Sequence, residues 1–286
     1  GYTMSRYVLN IAEKINLTYA SDSEVTGHHR HYPHTHEYCE LYFYIEGCCS
    51  YMVENGYFDM PYGTVIFTRP GELHSVQIDK PCLYRRYYYE LPPDALAFLG
   101  SEHMRCFLER PFGKRNSLIL PREIMDQCVE KLTRDIELCR SKSPDARSVA
   151  LADFLYILYE INRVFDQNDN IDMPMRRNAL MSQTLEYINS HLGEIGSTSD
   201  LASALYVSRE YLSRTFTRYA KLTLSKYLTL KRIETAKSLI HSGVPPMRAG
   251  EECGFHDYSY FIKIFRAETG MTPYEYRKSD SIRNRM

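Results

Sequence analysis

Three histidines and a glutamate stand in the first third of the chain at spacings that suit a binding site. His34, His36 and Glu40 are close in sequence, and His74 follows in a later apolar run. Residues two apart in a strand share a face, so a strand through this segment would place its even-numbered side chains together. The predicted effector-binding residues are His34, His36, Tyr38, Glu40, Tyr42, Tyr44 and His74.

The same residue types permit three kinds of chemistry. Imidazole and carboxylate bind first-row transition metals, so the predicted metal ligands are His34, His36, Glu40 and His74, for Zn, Mn, Ni or Fe. These groups also hydrogen-bond sugar hydroxyls, while tyrosine rings cover the apolar face of a sugar. In a third interpretation the histidines belong to a structural hydrogen-bond network. Because imidazole serves every one of these roles, the sequence leaves all three open.

A second set of candidates lies in the C-terminal third at helical spacing. One predicted helix buries Leu212 and Phe216, and a later one buries Phe261 and Phe265. Their opposite faces carry polar and basic residues at the spacing that a helix in the major groove needs. The predicted DNA contacts are Arg209, Glu210, Ser213, Arg214 and Thr217 on the first helix and Tyr258, Ser259, Ile262, Lys263 and Arg266 on the second. Residues 176–286 hold 17 Lys+Arg against 11 Asp+Glu, which favours a polyanionic partner.

The elements that must position these residues follow from the hydrophobic pattern. Short aromatic-rich runs over residues 28–91, separated by turn sequences such as Asn55-Gly56, predict an antiparallel barrel at about 20–92. Apolar residues three or four apart predict helices at about 121–141 and 145–167; in the second, Val149, Ala152, Leu155 and Tyr159 form the apolar stripe. These helices either close the barrel core or carry a dimer contact. Together, 1–168 form the predicted N-terminal domain.

A polar stretch at 169–179 is predicted to be a linker. Residues 180–286 form the predicted second domain, which is expected to be helical over almost all of 180–278. Within this second domain, Ser199-Asp200 is expected to cap a helix, and Leu224 to His241 to form one long helix of about 27 Å. That helix would join two helix-turn-helix units. The predicted fold is therefore α+β and multidomain.

Two resemblances sharpen these expectations. The runs VSREYLSRTF, GFHDYSYFIKIF and GMTPYEYR resemble the DNA-binding domain of the AraC family of transcription regulators, which implies that both exposed helix stripes contact DNA. The spacing of His34, His36 and Glu40, followed by His74, resembles the two motifs of the cupin barrel over roughly residues 25–90. The chain departs from the cupin pattern at Ile78, where cupins usually have Asn. It departs from the AraC-family pattern at Pro246 to Gly250, which replaces an Ile-x-x-Ile-Ala sequence. Because this change removes two core isoleucines and adds a glycine, we expect a looser second helix-turn-helix unit.

The sequence thus predicts a sequence-specific DNA-binding transcription regulator that responds to a small polar effector, a sugar. Its expected partners are double-stranded promoter DNA, a carbohydrate, a second copy of the chain and, for an activator, RNA polymerase. One alternative is a metal-dependent cupin oxygenase or isomerase with a helical regulatory domain. Another is an effector-independent regulator whose barrel only dimerises. Because no separate acid or base stands out, we expect no enzymatic activity.

The composition indicates the cellular location and the state of the cysteines. No stretch approaches 18 apolar residues and the N-terminal residues do not form a leader, so we expect a cytoplasmic protein without a membrane partner. Eight cysteines are scattered without a C-x-x-C pair, which predicts reduced, mostly buried thiols.

Overall fold

The computed structural model describes residues 4–12, 14–25, 33–54, 56–167, 179–220 and 222–283. They fall into two compact units divided near residue 176. Most of the predicted linker, together with His28, His29, His31 and Asn55, lies outside the described residues. No helix in the described ranges is long and apolar enough to cross a membrane.

The first unit is built on antiparallel strands in two sheets. The strands are β1 (Met4–Ala12), β2 (Ile15–Val25), β3 (Cys39–Glu46), β4 (Cys49–Val53), β5 (Gly56–Asp59), β6 (Thr64–Thr68), β7 (His74–Ile78), β8 (Cys82–Leu91) and β9 (Ser117–Ile119). One sheet has the order β1-β2-β8-β3-β6-β9, and the other has the order β5-β4-β7. The prediction of a β domain beginning near residue 20 missed β1 and most of β2.

Strand β3 separates two cores by its alternation. Leu41 and Phe43 point into the core shared with the helices, whereas Tyr42 and Tyr44 point into the core between the two sheets. The predicted two-residue period is therefore confirmed within β3. It does not extend to His36 and the residues before it, because the strand begins only at Cys39.

Helices cover the large sheet on its other face. They are α1 (Pro93–Leu99), α2 (Arg105–Leu108), α3 (Arg122–Arg140) and α4 (Ala146–Gln167). The predicted bounds of α3 and α4 are confirmed to within one residue. Of the two roles expected for the predicted stripe of α4, closing the core does not apply to Leu155 and Tyr159, which are 37% and 58% exposed; Phe154 and Ile157 are buried instead. This helix is apolar on both sides, and the sheet covers only one of them.

The second unit is all-helical, as predicted. It contains α5 (Ala179–His191), α6 (Thr198–Ala204), α7 (Arg209–Ala220), α8 (Leu224–His241), α9 (Pro246–Glu252), α10 (Tyr258–Thr269) and α11 (Pro273–Arg283). The bounds of α8 match the prediction. The N-cap of α6 is Ser197, whose hydroxyl accepts the Asp200 amide N–H, and not the predicted Ser199-Asp200.

Two equivalent turns define the helix-turn-helix units. Tyr206 and Gly254 each follow a short helix in the left-handed region, with φ of 57° and 85°. The next residues, Val207 and Phe255, each donate an amide N–H to a carbonyl five residues earlier. Both units therefore close their first helix in the same way, one with glycine and one with tyrosine.

The α9 helix forms despite its unusual sequence. Its first residue is a proline, which a helix start tolerates. A Cβ added to Gly250 would lie 2.9 Å from a ring carbon of the buried Phe261. The glycine thus lets α9 and α10 approach closely, and the expected looser packing of this unit is not seen.

Candidate effector site and nucleic-acid interface

Two histidines of the first unit are held in one orientation by the backbone. Nδ1 of His36 lies 2.9 Å from the carbonyl oxygen of Tyr38, and Nδ1 of His74 lies 2.9 Å from that of Glu72. A carbonyl only accepts, so both Nδ1 atoms carry a proton, and in the neutral rings Nε2 is the acceptor. The rings meet edge to face with centroids 4.7 Å apart. Their acceptor nitrogens are therefore directed by the fold.

Glu40 provides a carboxylate beside both rings. Its oxygens lie 3.7 Å from Nε2 of His36 and 4.0 Å from Nε2 of His74. Burial, and then the charge of Glu90 directly across the β3–β8 pair, raise the pKa of Glu40 to about 7. The separations exceed those of hydrogen bonds but suit ligands sharing one ion, since atoms bound at about 2.0–2.2 Å lie about 3–4.2 Å apart.

We call His36, Glu40 and His74, together with the residues that contact them, the histidine cluster. The sequence analysis missed two of its members, Tyr51 and Glu90. The Tyr51 hydroxyl donates to Glu40 at 3.5 Å, and its ring stacks on His74. Tyr38 stacks on His36 and donates its hydroxyl to Glu90 at 3.2 Å. Tyr51 and Glu90 come from β4 and β8, and only strand pairing brings them here.

Of the other predicted effector residues, Tyr42 and Tyr44 lie elsewhere. Tyr42 is buried, with its hydroxyl 2.6 Å from that of Tyr84. Tyr44 is four residues beyond Glu40 along β3, a distance of about 13 Å. His34 is exposed, although a ring nitrogen lies within 4.8 Å of one in His36 and one in His74. The structure thus brings together His34, His36, Tyr38, Glu40 and His74, and separates Tyr42 and Tyr44 from them.

Tyr44 lines a cleft instead. The cleft has a volume of about 590 Å³, within the range of small-molecule sites. It is lined by Tyr44, Gly47, Cys48, Cys49, Asp59, Met60, Pro61, Asp79 and Lys80. Carboxylate, ammonium and phenol groups therefore surround a space large enough for a small polar molecule.

The predicted DNA-contact residues are on the outer faces of their helices. In α7 the buried residues are Leu212, Thr215, Phe216 and Ala220. In α10 they are Phe261 and Phe265. The predicted contacts are exposed, apart from the half-buried Ser213 and Ile262. Both stripes therefore face away from the core of the second unit.

The N-termini of α7 and α10, which we call the recognition helices, are both capped by side chains. Ser208 accepts the amide N–H of Tyr211 at 3.2 Å, and Asp257 accepts that of Tyr260 at 2.9 Å. Such caps fix the start of a helix, which is the end that approaches base edges in helix-turn-helix proteins.

Four basic residues of α8 have partners within the second unit. Lys231 is buried, and Lys237 forms an ion pair with Glu234 at 3.0 Å. Arg232 donates to the Ile195 carbonyl and lies over the Phe255 ring, so it braces the core. Lys226 pairs with Glu268. These pairings leave the recognition-helix stripes as the better candidates for DNA contact.

Two family models match the chain along the same division. One, described as an AraC-like ligand binding domain, matches residues 19–142, and one described as a helix-turn-helix domain matches residues 201–279. The chain belongs to the AraC family. It is a transcription regulator with a helix-turn-helix DNA-binding domain and a ligand-binding domain.

Individual relatives cover this AraC-family chain to different extents. The HTH-type transcriptional activator RhaR of Cronobacter sakazakii is 27% identical over 255 residues, 86% of each chain. The Uncharacterized HTH-type transcriptional regulator YijO of Escherichia coli is 31% identical over 109 residues, and the chain spans 38% of its length. A solved AraC-type DNA-binding domain from Chromobacterium violaceum is 27% identical, with a TM-score of 0.33, over 36% of this chain and 92% of that one.

Proposed function

We propose that this regulator binds promoter DNA through both recognition-helix stripes and that its DNA affinity responds to a small polar effector, a carbohydrate. The observation that carries the proposal is the exposure of the two stripes on capped helices whose opposite faces form the core. A guanidinium such as that of Arg214 can pair with a guanine edge. Because RhaR is named an activator, we further propose activation, with RNA polymerase as partner.

The DNA contact is tested by replacing one stripe residue. Arg214→Ala should weaken operator binding by about 1–3 kcal/mol and relax one base position. The matched control is Arg122→Ala, since Arg122 is an exposed arginine of the first unit. Fluorescence anisotropy on operator and random duplexes measures both. Equal loss on the two duplexes would reduce Arg214 to a phosphate contact, and no loss would remove it from the interface.

We place the carbohydrate in the cleft rather than at the histidine cluster. The side chains of His36, Glu40 and His74 are only 9%, 13% and 2% exposed, and their facing atoms lie about 4 Å apart. That space suits one atom and not a sugar ring. The cleft offers the ring of Tyr44 for an apolar sugar face and Lys80 with two carboxylates for hydroxyls.

A carbohydrate panel read by thermal shift identifies ligands, and titration calorimetry then compares variants. Lys80→Ala should weaken the binding of a hit at least several-fold, whereas Lys142→Ala, at an exposed lysine of the same unit, should not. Loss of binding in His74→Ala with Lys80→Ala unaffected would move the effector to the histidine cluster. Absence of any hit would favour a regulator without a sugar effector.

The histidine cluster favours a second proposal, a divalent transition metal held by His34, by Nε2 of His36 and by Nε2 of His74, with the carboxylate of Glu40 beside them. The support is the fixed Nδ1–H to carbonyl bonds, the arrangement that orients metal-binding histidines in proteins. When bound, the cation would supply positive charge beside the Glu40 carboxylate, whose pKa the charge of Glu90 raises. It would thereby keep Glu40 ionised at neutral pH.

Metal content decides this proposal. Protein purified without a chelator should carry about one equivalent by plasma mass spectrometry, with loss in His74→Ala and retention in His256→Ala, which changes an exposed histidine of the second unit. Metal-free wild-type protein that does not take up Zn or Mn on dialysis would reject the site.

We also propose that two copies pair through the exposed face of α4. Ala152, Leu155 and Tyr159 line that face at helical spacing, and an apolar stripe left in water favours association. Sedimentation should show a dimer at micromolar concentration that Leu155→Lys shifts toward monomer. Wild-type protein that stays monomeric would refute this contact.

A further inference from the structure

Three cysteines that are distant in sequence meet at the cleft. Cys49 begins β4, Cys48 directly precedes it, and Cys82 begins β8. The backbone N–H of Cys48 donates to Sγ of Cys82 at 3.0 Å, and the thiols of Cys49 and Cys82 hydrogen-bond to each other. At Gly47 an added Cβ would lie 2.9 Å from Sγ of Cys49, so the glycine leaves this thiol its space.

This group is accessible from the cleft. Cys48 and Cys49 line it, and Cys82 is half-buried beside them. All three are free thiols. A small reagent that enters the cleft therefore comes next to Cys49, whose thiol hydrogen-bonds to that of Cys82.

We propose that Cys49 and Cys82 form a dithiol site that low-molecular-weight disulfides oxidise to an intrachain disulfide. Cys82 loses its proton and attacks one sulfur of the small disulfide, which forms a mixed disulfide and releases one small thiol. Cys49 then loses its proton and attacks the Cys82 sulfur, which releases the second small thiol. In total, two protein thiols become one disulfide and the small disulfide becomes two thiols.

The surroundings assign the order of the two steps. The amide N–H of Cys48 points at Sγ of Cys82 and stabilises a thiolate there. Cys49 is buried, and burial together with the Cys82 thiol raises its pKa, so it follows as the resolving thiol. Burial also raises the pKa of Cys82, which makes the exchange faster as the pH rises.

The bridge would change the β domain mechanically. Strand β4 belongs to the three-stranded sheet and β8 to the six-stranded sheet. A Cys49–Cys82 disulfide would therefore tie the two sheets together at the wall of the cleft. A disulfide that closes the loop between Cys49 and Cys82 lowers the conformational entropy of the unfolded chain and so raises the melting temperature.

The test uses the reduced full-length chain and oxidised glutathione at pH 8, followed by alkylation and peptide mass mapping. We expect the loss of two alkylatable thiols, a cross-linked peptide pair containing Cys49 and Cys82, and a melting temperature raised by several degrees. Cys139→Ser, which removes a half-buried thiol from α3, should behave like the wild type. Cys82→Ser should lose the cross-link.

Three results would overturn the proposal: both thiols remaining alkylatable, a persistent glutathione adduct on Cys82, or a cross-link from Cys48 in place of Cys49. The wild-type mass map alone decides among them, so misfolding of a variant does not obscure the outcome. The readout requires neither DNA nor effector. Failure here is therefore separate from failure of the regulatory function.

Discussion

When Gly250 is replaced by alanine, two physical effects predict opposite changes in the stability of the second unit. Glycine inside a helix costs about 1 kcal/mol relative to alanine, so helix propensity alone predicts a gain of that size. In the structure the added Cβ would lie 2.9–3.1 Å from three carbons of the Phe261 ring. Rings of Phe255 and Phe265 lie 4.9 Å and 5.5 Å from that ring, so it has little freedom to move.

Overpacking of this kind costs about 1–3 kcal/mol, which leaves a net destabilisation of about 1 kcal/mol after the propensity gain. Hydrogen exchange by mass spectrometry on the full chain measures this locally, through peptides from α9 and α10. Met247→Ala is the matched control, because Met247 is on the same helix and 56% exposed. Greater protection in Gly250→Ala than in the wild type would refute the packing argument.

Three further outcomes follow from particular contacts. Arg110 and Glu72 form a fully buried ion pair at 2.7 Å, so Arg110→Met should cost about 3–5 kcal/mol in urea unfolding, and a loss as small as that of the exposed Arg122→Met would contradict this. Burial raises the pKa of Asp135, so the folded state holds its proton more tightly than the unfolded state. The stability this contributes is lost as the pH rises above about 4, and unfolding across a pH series should show that slope weakened in Asp135→Asn. Tyr206 is 96% exposed with φ of 57°, so Tyr206→Gly should raise the melting temperature by relieving about 1 kcal/mol of backbone strain, and a lower one would show that the side chain packs.

The helices were predictable because their signals are local. The bounds of α8, α3 and α4 follow from apolar spacing and from caps such as Thr223, which accepts the Lys226 amide N–H. The side of α4 that the sheet covers was not predictable, because both sides are apolar. The β1–β2 hairpin was missed because its turn contains Lys14 at φ of 64° and no glycine to mark it.

The histidine cluster was predictable only in part. His36, Glu40 and His74 follow a recognisable spacing, but Tyr51 and Glu90 join them through strand register, as in the Glu40–Glu90 pair. Register depends on contacts between distant segments, so no local pattern shows it. The sequence analysis did not predict that Cys49 and Cys82 lie together, because this also depends on how distant strands are arranged.

In the recognition helices, the residues that form the core and the residues predicted to contact DNA lie on opposite faces. Leu212, Phe216, Phe261 and Phe265 hold the second unit together, while the predicted contact residues add little to its core. Surface substitutions of this kind usually change stability by no more than about 0.5 kcal/mol. If Arg214 and Lys263 contact DNA as we propose, a lineage can exchange either residue and acquire a new operator without first acquiring compensating core mutations.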